Sequence, residues 1–363
     1  AASAVGGVAV FDPSSATVTD AGAPFDAVSA TAGPVARSSV ARVGIATAIT
    51  AACGYAVLYL AARRLEPAGF AVFGVFWGAF GLVAGAANGL LQEATREVRA
   101  AGRARAVAAG ARTRPIWVAV GVGLAAGAVI AATSPWWAAH VFAEERGLSV
   151  ALLSVGLAGF CLHATLLGML AGTDRWSQYG SLMVTDAVIR VVVATAAFAL
   201  GWGLAGFLWA TVAGALAWLL MLVVSANARA AAGSRTAGSV PDFLRGAAHS
   251  IAAAGASAIL VMGFPVLLKA TSGELGAAGG VVILAVTLTR APLLVPLTAM
   301  QGNLIAYFVD HRSARLRALL APAAIVAAVG AVGVVGAALV GPWLMRVAFG
   351  PEYRASATLL AWL

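Results

Sequence analysis

Residues 180–225 read GSLMVTDAVIRVVVATAAFALGWGLAGFLWATVAGALAWLLMLVVS. Asp186 and Arg190 are the only charges in this stretch, and from Val191 to Leu200 every residue is apolar or small. A transmembrane β-strand would alternate apolar and polar residues over about ten positions. A membrane-spanning helix instead needs about 20 consecutive, mostly apolar residues. The stretch therefore reads as two spanning helices, 180–200 and 204–225, joined by a short turn. The same pattern continues in both directions, with spans expected at 40–61, 70–91, 115–133, 149–172, 246–268, 278–300, 319–341 and from 355 onward. The whole chain agrees: 61% of its 363 residues are hydrophobic and 10% charged, with a mean hydropathy of +0.94. Soluble domains carry about 25% charged residues. The expected fold class is an all-α polytopic membrane protein.

Sequence patterns that would signal an enzyme do not survive their context. Gly201-Trp-Gly203-Leu-Ala-Gly206 matches a dinucleotide-binding fingerprint. That fingerprint needs a strand before it and an acidic residue about 20 positions later. Here it joins two spans, and residues 207–226 hold no Asp or Glu. No G-x-S-x-G, H-E-x-x-H or Walker loop occurs, so neither an enzyme nor a cofactor is expected. Glu93, Glu97, Glu144 and Glu145 read as solvated loop charges. Cys53 and Cys161 fall inside spans as packing residues. His140, His163, His249 and His311 share no metal-ligand spacing. His163 sits mid-span, where either a packing role or a proton relay is open.

Basic residues orient the chain. With a cytoplasmic N-terminus, fifteen of the 23 Lys and Arg residues fall inside, six outside, and two, Arg190 and Arg290, within spans. This obeys the positive-inside rule. It also explains the net charge of +9 through attraction to an anionic leaflet, with no nucleic-acid partner. The stretch Arg96 to Arg114 reads as an amphipathic interfacial segment. One Lys against 22 Arg, with abundant Ala and Gly, points to a GC-rich bacterial genome. The expected location is the bacterial plasma membrane.

Landmarks recur at a near-constant spacing. Gly69 pairs with Gly276, Trp137 with Trp343 and Gln92 with Gln301, at offsets of 207, 206 and 209 residues. A repeat of six spans keeps both halves in one orientation, related by an axis along the membrane normal. The expected organisation is a disordered cytoplasmic tail (1–36), an N-terminal six-helix lobe (37–226), a cytoplasmic linker (227–244) and an incomplete C-terminal lobe (245–363). The second lobe is expected to stop after about ten spans in total. The glycines Gly74, Gly78, Gly81, Gly85 and Gly89 make a small-residue ridge on span two, suited to close helix packing or to bending. Pro265, Pro292 and Pro296 mark expected kinks in spans seven and eight.

Ionisable residues in spans are the candidate functional groups, because burial there is costly. Asp186 and Arg190 lie four apart and share a helix face. They form either a structural ion pair or a coupling pair in which Asp186 titrates and releases Arg190. Arg290 has no acidic neighbour within a turn and must face a cavity or a distant carboxylate. Arg63, Arg64 and Lys269 stand at expected exterior helix ends, where they either snorkel or meet an anionic cargo.

Three connections resemble those of the Wzx-type polysaccharide flippases of the MOP exporter superfamily. They are Ala62-Arg63-Arg64-Leu65-Glu66-Pro67-Ala68-Gly69-Phe70, Gly168-Met-Leu-Ala-Gly172-Thr-Asp174-Arg175-Trp176, and Trp343-Leu-Met-Arg-Val-Ala-Phe349-Gly350-Pro351-Glu352-Tyr353. In the first, Glu precedes Pro, reversing the family's usual order. The resemblance spans residues 37–363. It implies alternating access between two lobes and a polyprenyl-diphosphate-linked oligosaccharide as cargo, carried to the outer leaflet for surface polysaccharide synthesis. Arg290 would line the cavity, with membrane lipids and a glycan polymerase or glycosyltransferase as partners. A cation-coupled multidrug exporter of the same fold, or a non-transporting scaffold for glycan enzymes, are the alternatives.

Overall fold

The computed structural model describes residues 37–104, 113–142, 144–289 and 315–362. By its contacts the chain divides into Ala1–Ala41 and Arg42–Leu363; the second unit carries the architecture below. The expected tail, residues 1–36, lies outside the described residues, as do Arg290, Pro292, Pro296 and Gln301.

Helix α1 runs from Arg37 to Ala104. Its apolar part, Arg42–Gly102, is 61 residues long. Straight, it would measure about 92 Å, far beyond the ~30 Å of a bilayer's hydrocarbon. Glu66 resolves the mismatch. It adopts φ 56° and ψ 172°, and Pro67, which has no backbone N–H, follows it. The two arms fold back on each other, so that Ala51, Gly54, Tyr55 and Leu58 of the first share a small cavity with Trp77 and Gly78 of the second. These arms are the first two expected spans. The second stays helical past residue 91, so Arg96 and Arg99 ride on a continuation of the span rather than on a separate interfacial segment.

Helices α2 (Pro115–Val141), α3 (Arg146–Gly172) and α4 (Trp176–Leu200) follow as single spans. The next span is divided into α5 (Gly203–Ala213) and α6 (Ala217–Val224) by a 3-10 turn at Gly214–Leu216. Beyond the short α7 (Ala226–Ala232), Ser239 caps α8 (Val240–Met262) by accepting from the Asp242 N–H. Helix α9 (Phe264–Ser272) continues it after a break at Gly263, with Pro265 in its first turn, where a missing N–H costs nothing. Then come α10 (Gly276–Thr289), α11 (Arg315–Leu344) and α12 (Ala357–Trp362). Seven described stretches are long and apolar enough to cross a membrane. Among the described residues there is no sheet, only one isolated bridge between Thr113 and Thr236.

The spans alternate between two ends. The turn end holds Glu66, Gly201 and Glu352; the basic end holds Arg96, Arg99 and Arg245. Trp136, Trp202 and Trp343 are exposed at the turn end, as an interfacial aromatic belt requires. Trp137 and Trp343 stand near the ends of α2 and α11, and each precedes a buried phenylalanine, Phe142 and Phe349.

The glycine ridge is the seam between the second arm of α1 and α8–α10. A Cβ on Gly89 would lie 2.2 Å from the Ile251 nitrogen, and one on Gly85 would lie 2.6 Å from the Ala258 Cβ. Gly78 and Gly81 face Met262, and Gly74 faces Ile283. Without water to drive burial, helices in lipid associate through such close packing. The turn end is closed by a fully buried aromatic group that includes Phe70, Phe73, Phe142, Phe207 and Tyr353. The Tyr353 hydroxyl donates to the Ala62 carbonyl oxygen at 3.0 Å, and burial pushes its phenol above the usual tyrosine range.

Candidate functional site

Mid-span polar groups converge on one cavity of about 570 Å³, within the ~300–1,000 Å³ usual for ligand sites. The second arm of α1 contributes Trp77, Phe80, Asn88 and Gln92, α8 contributes Ala253, Ser257 and Met262, and Phe160, Arg190 and Thr211 come from α3, α4 and α5. Among the described residues, Arg190 is the charged group on this wall.

Arg190 is held from behind. Its Nε and Nη2 both donate to Asp186 Oδ1, at 3.1 and 3.0 Å, across the single helical turn that the sequence spacing requires. Both side chains are largely buried, at 15% and 12% exposure. The guanidinium also lies over the Phe80 ring at 5.6 Å, a cation–π contact. Room for the pair comes from Gly214, in the 3-10 turn between α5 and α6. A Cβ there would sit 2.1 Å from Asp186 Oδ1 and 2.6 Å from Arg190 Nε.

An aromatic series extends from the arginine. Phe80 meets Phe160 edge-on at 6.3 Å, and Phe160 stacks on His163 at 5.4 Å. His163 is 3% exposed, with Nδ1 lacking a hydrogen-bond partner. It is not part of the cavity lining and touches the wall through Phe160.

The other expected site residues lie elsewhere. Arg63 and Arg64 are exposed at the turn end. The Arg64 guanidinium sits beside Gly201, the left-handed residue that ends α4, where a cation favours the helix dipole. The Lys269 ammonium donates to the Gly273 carbonyl oxygen at the end of α9. Arg290 lies outside the described residues.

Glu93 requires a correction. Rather than a solvated loop charge, it is 2% exposed, packed so tightly against α8 that a Cβ on Gly246 would meet its Oε1 at 2.1 Å. Arg96 neutralises it at 2.6 Å. The continued helix is the reason, because it carries Glu93 into the seam against α8.

Sequence reasoning missed Asn88, Gln92, Thr211 and Ser257 on the cavity wall. The i+4 spacing of Asn88 and Gln92 on the helix that bears the glycine ridge was the available signal.

No protein-family model matches the chain. Two solved structures share the fold at 15% sequence identity. One is an outward-facing multidrug resistance MATE family transporter of the MOP superfamily, with a TM-score of 0.54 over 89% of this chain and 77% of that one. The other is a MOP superfamily transporter from Pyrococcus furiosus, described as having a binding pocket of reverse polarity that suggests a different function, with a TM-score of 0.51 over 90% and 75%. The architecture is thus the MOP transporter fold. In sequence, the chain is 68% identical over 360 residues to the uncharacterized protein Rv3630 of Mycobacterium tuberculosis, covering 99% of this chain and 82% of that protein. It is 65% identical over 346 residues to Rv1510 of the same organism, covering 95% and 79%. Identity at that level over nearly the full length shows that the chain belongs to the mycobacterial family of Rv3630 and Rv1510.

Proposed function

We propose that this protein is a flippase for a polyprenyl-diphosphate-linked oligosaccharide. By alternating access it would carry the glycan headgroup from the cytoplasmic to the outer leaflet of the bacterial plasma membrane, for cell-surface polysaccharide synthesis. The observation that carries this reading is the cavity wall, where the described charge is a guanidinium and the carboxylate stands behind it. Arginine's planar fork suits phosphate oxygens, and Asn88, Gln92, Thr211 and Ser257 offer hydrogen bonds to sugar hydroxyls. The three connections that resemble Wzx-type flippases support the same cargo, and the MOP fold supports alternating access. Arg290 remains a second candidate headgroup contact, with Arg63, Arg64 and Lys269 as contacts at the exit. The arginine distribution supports a cytoplasmic N-terminus. A glycan polymerase or glycosyltransferase would act alongside.

A multidrug exporter is the second reading, favoured by Trp77, Phe80 and Phe160, which offer aromatic surface to an organic molecule. A cavity-facing arginine disfavours the organic cations such a site would otherwise take. The Pyrococcus furiosus neighbour supports the idea that this fold tolerates a change of pocket polarity together with a change of function.

Mass spectrometry of polyprenyl-linked sugars in cells lacking the protein tests the proposal. A flippase predicts accumulation of the complete lipid-linked oligosaccharide on the cytoplasmic side and loss of surface glycan, with Arg190→Ala or Arg290→Ala failing to rescue. An unchanged lipid-linked pool with normal surface glycan sinks it. Faster loss of accumulated dye from wild-type cells would then favour the exporter.

A further inference from the structure

Arg190 is only partly used by its partner. A guanidinium carries five N–H groups in one plane. Asp186 Oδ1 takes the Nε–H and one Nη2–H, at 3.1 and 3.0 Å. Nη1 has no hydrogen-bond partner among the described residues. The end edge, one N–H of Nη1 beside the second N–H of Nη2, is therefore open. Such an edge meets two oxygens of one phosphate at once.

The surroundings fix how that edge is presented. The Phe80 ring covers one face of the guanidinium at 5.6 Å. Asp186 fills the side edge, and Gly214 backs the carboxylate so closely that a Cβ would lie 2.1 Å from Oδ1. The arginine side chain is 15% exposed and lines the cavity. An unrestrained arginine loses rotamer freedom when it binds a ligand, whereas this one has lost it beforehand, so an anion meets a preorganised fork. The carboxylate also has a cost, because its charge offsets part of the attraction for any anion. Its place beside an anion site is accounted for by geometry and not by charge.

We infer that Asp186 is a positioning residue: it holds Arg190 so that the Nη1–Nη2 edge faces the cavity, and the site thereby selects tetrahedral oxyanions such as a phosphate ester over anions that meet one donor at a time. This rests on the anionic-cargo reading above. Cargo binds with the ion pair intact, so the carboxylate neither leaves nor changes its protonation. Attraction is given up in exchange for direction.

The test separates position from charge. Asp186→Asn removes the charge but keeps an acceptor oxygen in the same place. Asp186→Glu keeps the charge but is one methylene longer, and Gly214 leaves it no room. Gly214→Ala displaces the pair with both side chains present. The full chain in nanodiscs of neutral lipid is titrated with inorganic pyrophosphate by calorimetry, alone and with dimethyl phosphate or thiocyanate as competitor. Both competitors are monoanions, but only the phosphate ester offers two oxygens to the fork. A change in the site's potential moves both alike, and a loss of stability moves neither. The wild type should prefer dimethyl phosphate. Asp186→Asn should keep that preference and bind pyrophosphate at least as tightly as the wild type. Asp186→Glu and Gly214→Ala should lose about tenfold in the preference, the worth of one charge-assisted hydrogen bond. Loss of the preference in Asp186→Asn, or its retention in both Asp186→Glu and Gly214→Ala, would overturn the inference and leave the anionic-cargo reading intact. A wild type that binds no pyrophosphate would overturn both.

Discussion

Gly214 stands against Asp186 with no space for a methyl group between them: a Cβ on the glycine would lie 2.1 Å from the carboxylate oxygen. The backbone there is ordinary right-handed helix, with φ −61°, so the glycine is required for volume and not for conformation. Gly214→Ala should displace the pair and lower stability by about 1–3 kcal/mol, the usual cost of overpacking. Thermal unfolding of the purified protein measures this, and an unchanged midpoint would refute the assignment.

Removing one member of the buried pair should cost more than removing both. Arg190→Ala or Asp186→Ala alone leaves an uncompensated buried charge, worth about 3–5 kcal/mol. Asp186→Asn/Arg190→Gln should recover most of that loss. A double-mutant cycle on unfolding free energies isolates the coupling. Additive losses would mean that the two side chains do not act as a unit.

The seam glycines should differ sharply from other helical glycines. Gly89→Ala drives a methyl into the Ile251 backbone, which cannot move as a side chain would. Gly121→Ala meets nothing within 4 Å and should gain about 0.5–1 kcal/mol from reduced backbone entropy. Expression level and melting temperature of the two variants give the comparison. Similar behaviour would show that the seam is looser than its glycines require.

Tyr353→Phe keeps the ring among Phe70 and Phe349 and removes only the hydroxyl that reaches Ala62. The expected loss is about 1 kcal/mol, the net worth of one hydrogen bond, read by chemical denaturation in detergent. Tyr353→Ala, which also empties the aromatic site, should cost about 3–5 kcal/mol.

Membrane orientation is open to direct labelling. In a background with Cys53 and Cys161 replaced by alanine, Glu144→Cys at the turn end should react with an impermeant maleimide in intact cells. Ala237→Cys, beside the basic end, should react only after permeabilisation. The reverse pattern would invert the topology drawn from the arginine distribution.

Much of the fold was legible because spans announce themselves by length and hydropathy. The Asp186–Arg190 pair was legible because its geometry is local: four residues on one helix must share a face. The glycine ridge was legible as a packing surface, but not the identity of its partner, since Ile251 and Ala258 lie more than a hundred residues downstream. The cavity wall was harder to read. Asn88, Thr211 and Ser257 are ordinary residues for a membrane helix, and only assembly shows that they face one another. Glu93 was misread because the expected end of span two came about ten residues too early. Hydropathy falls where arginines begin, whereas helical hydrogen bonding runs on through them to Ala104.

Glu66 turns the second arm of α1 back so that it packs against α8–α10, far downstream in the sequence. Along the seam the helices approach backbone to backbone at Gly89, while the Met262 and Ile283 side chains fill the contacts at Gly81 and Gly74. At its Gly89 end the surface has no rotamers with which to absorb a gradual shift. It behaves as a keel, held whole or parted whole. If the two halves move against each other during a cycle, the bend must concentrate at a few points, of which Glu66 in α1 and Gly263 between α8 and α9 are the natural ones. Glu66 lies outside the glycine contacts, whereas Gly263 lies among them, between Met262 and Pro265, which both meet Gly78. The cavity would then change shape as its other helices tilt about a spine that stays fixed, carrying Trp77 and Phe80 as a stationary wall past which cargo has to travel.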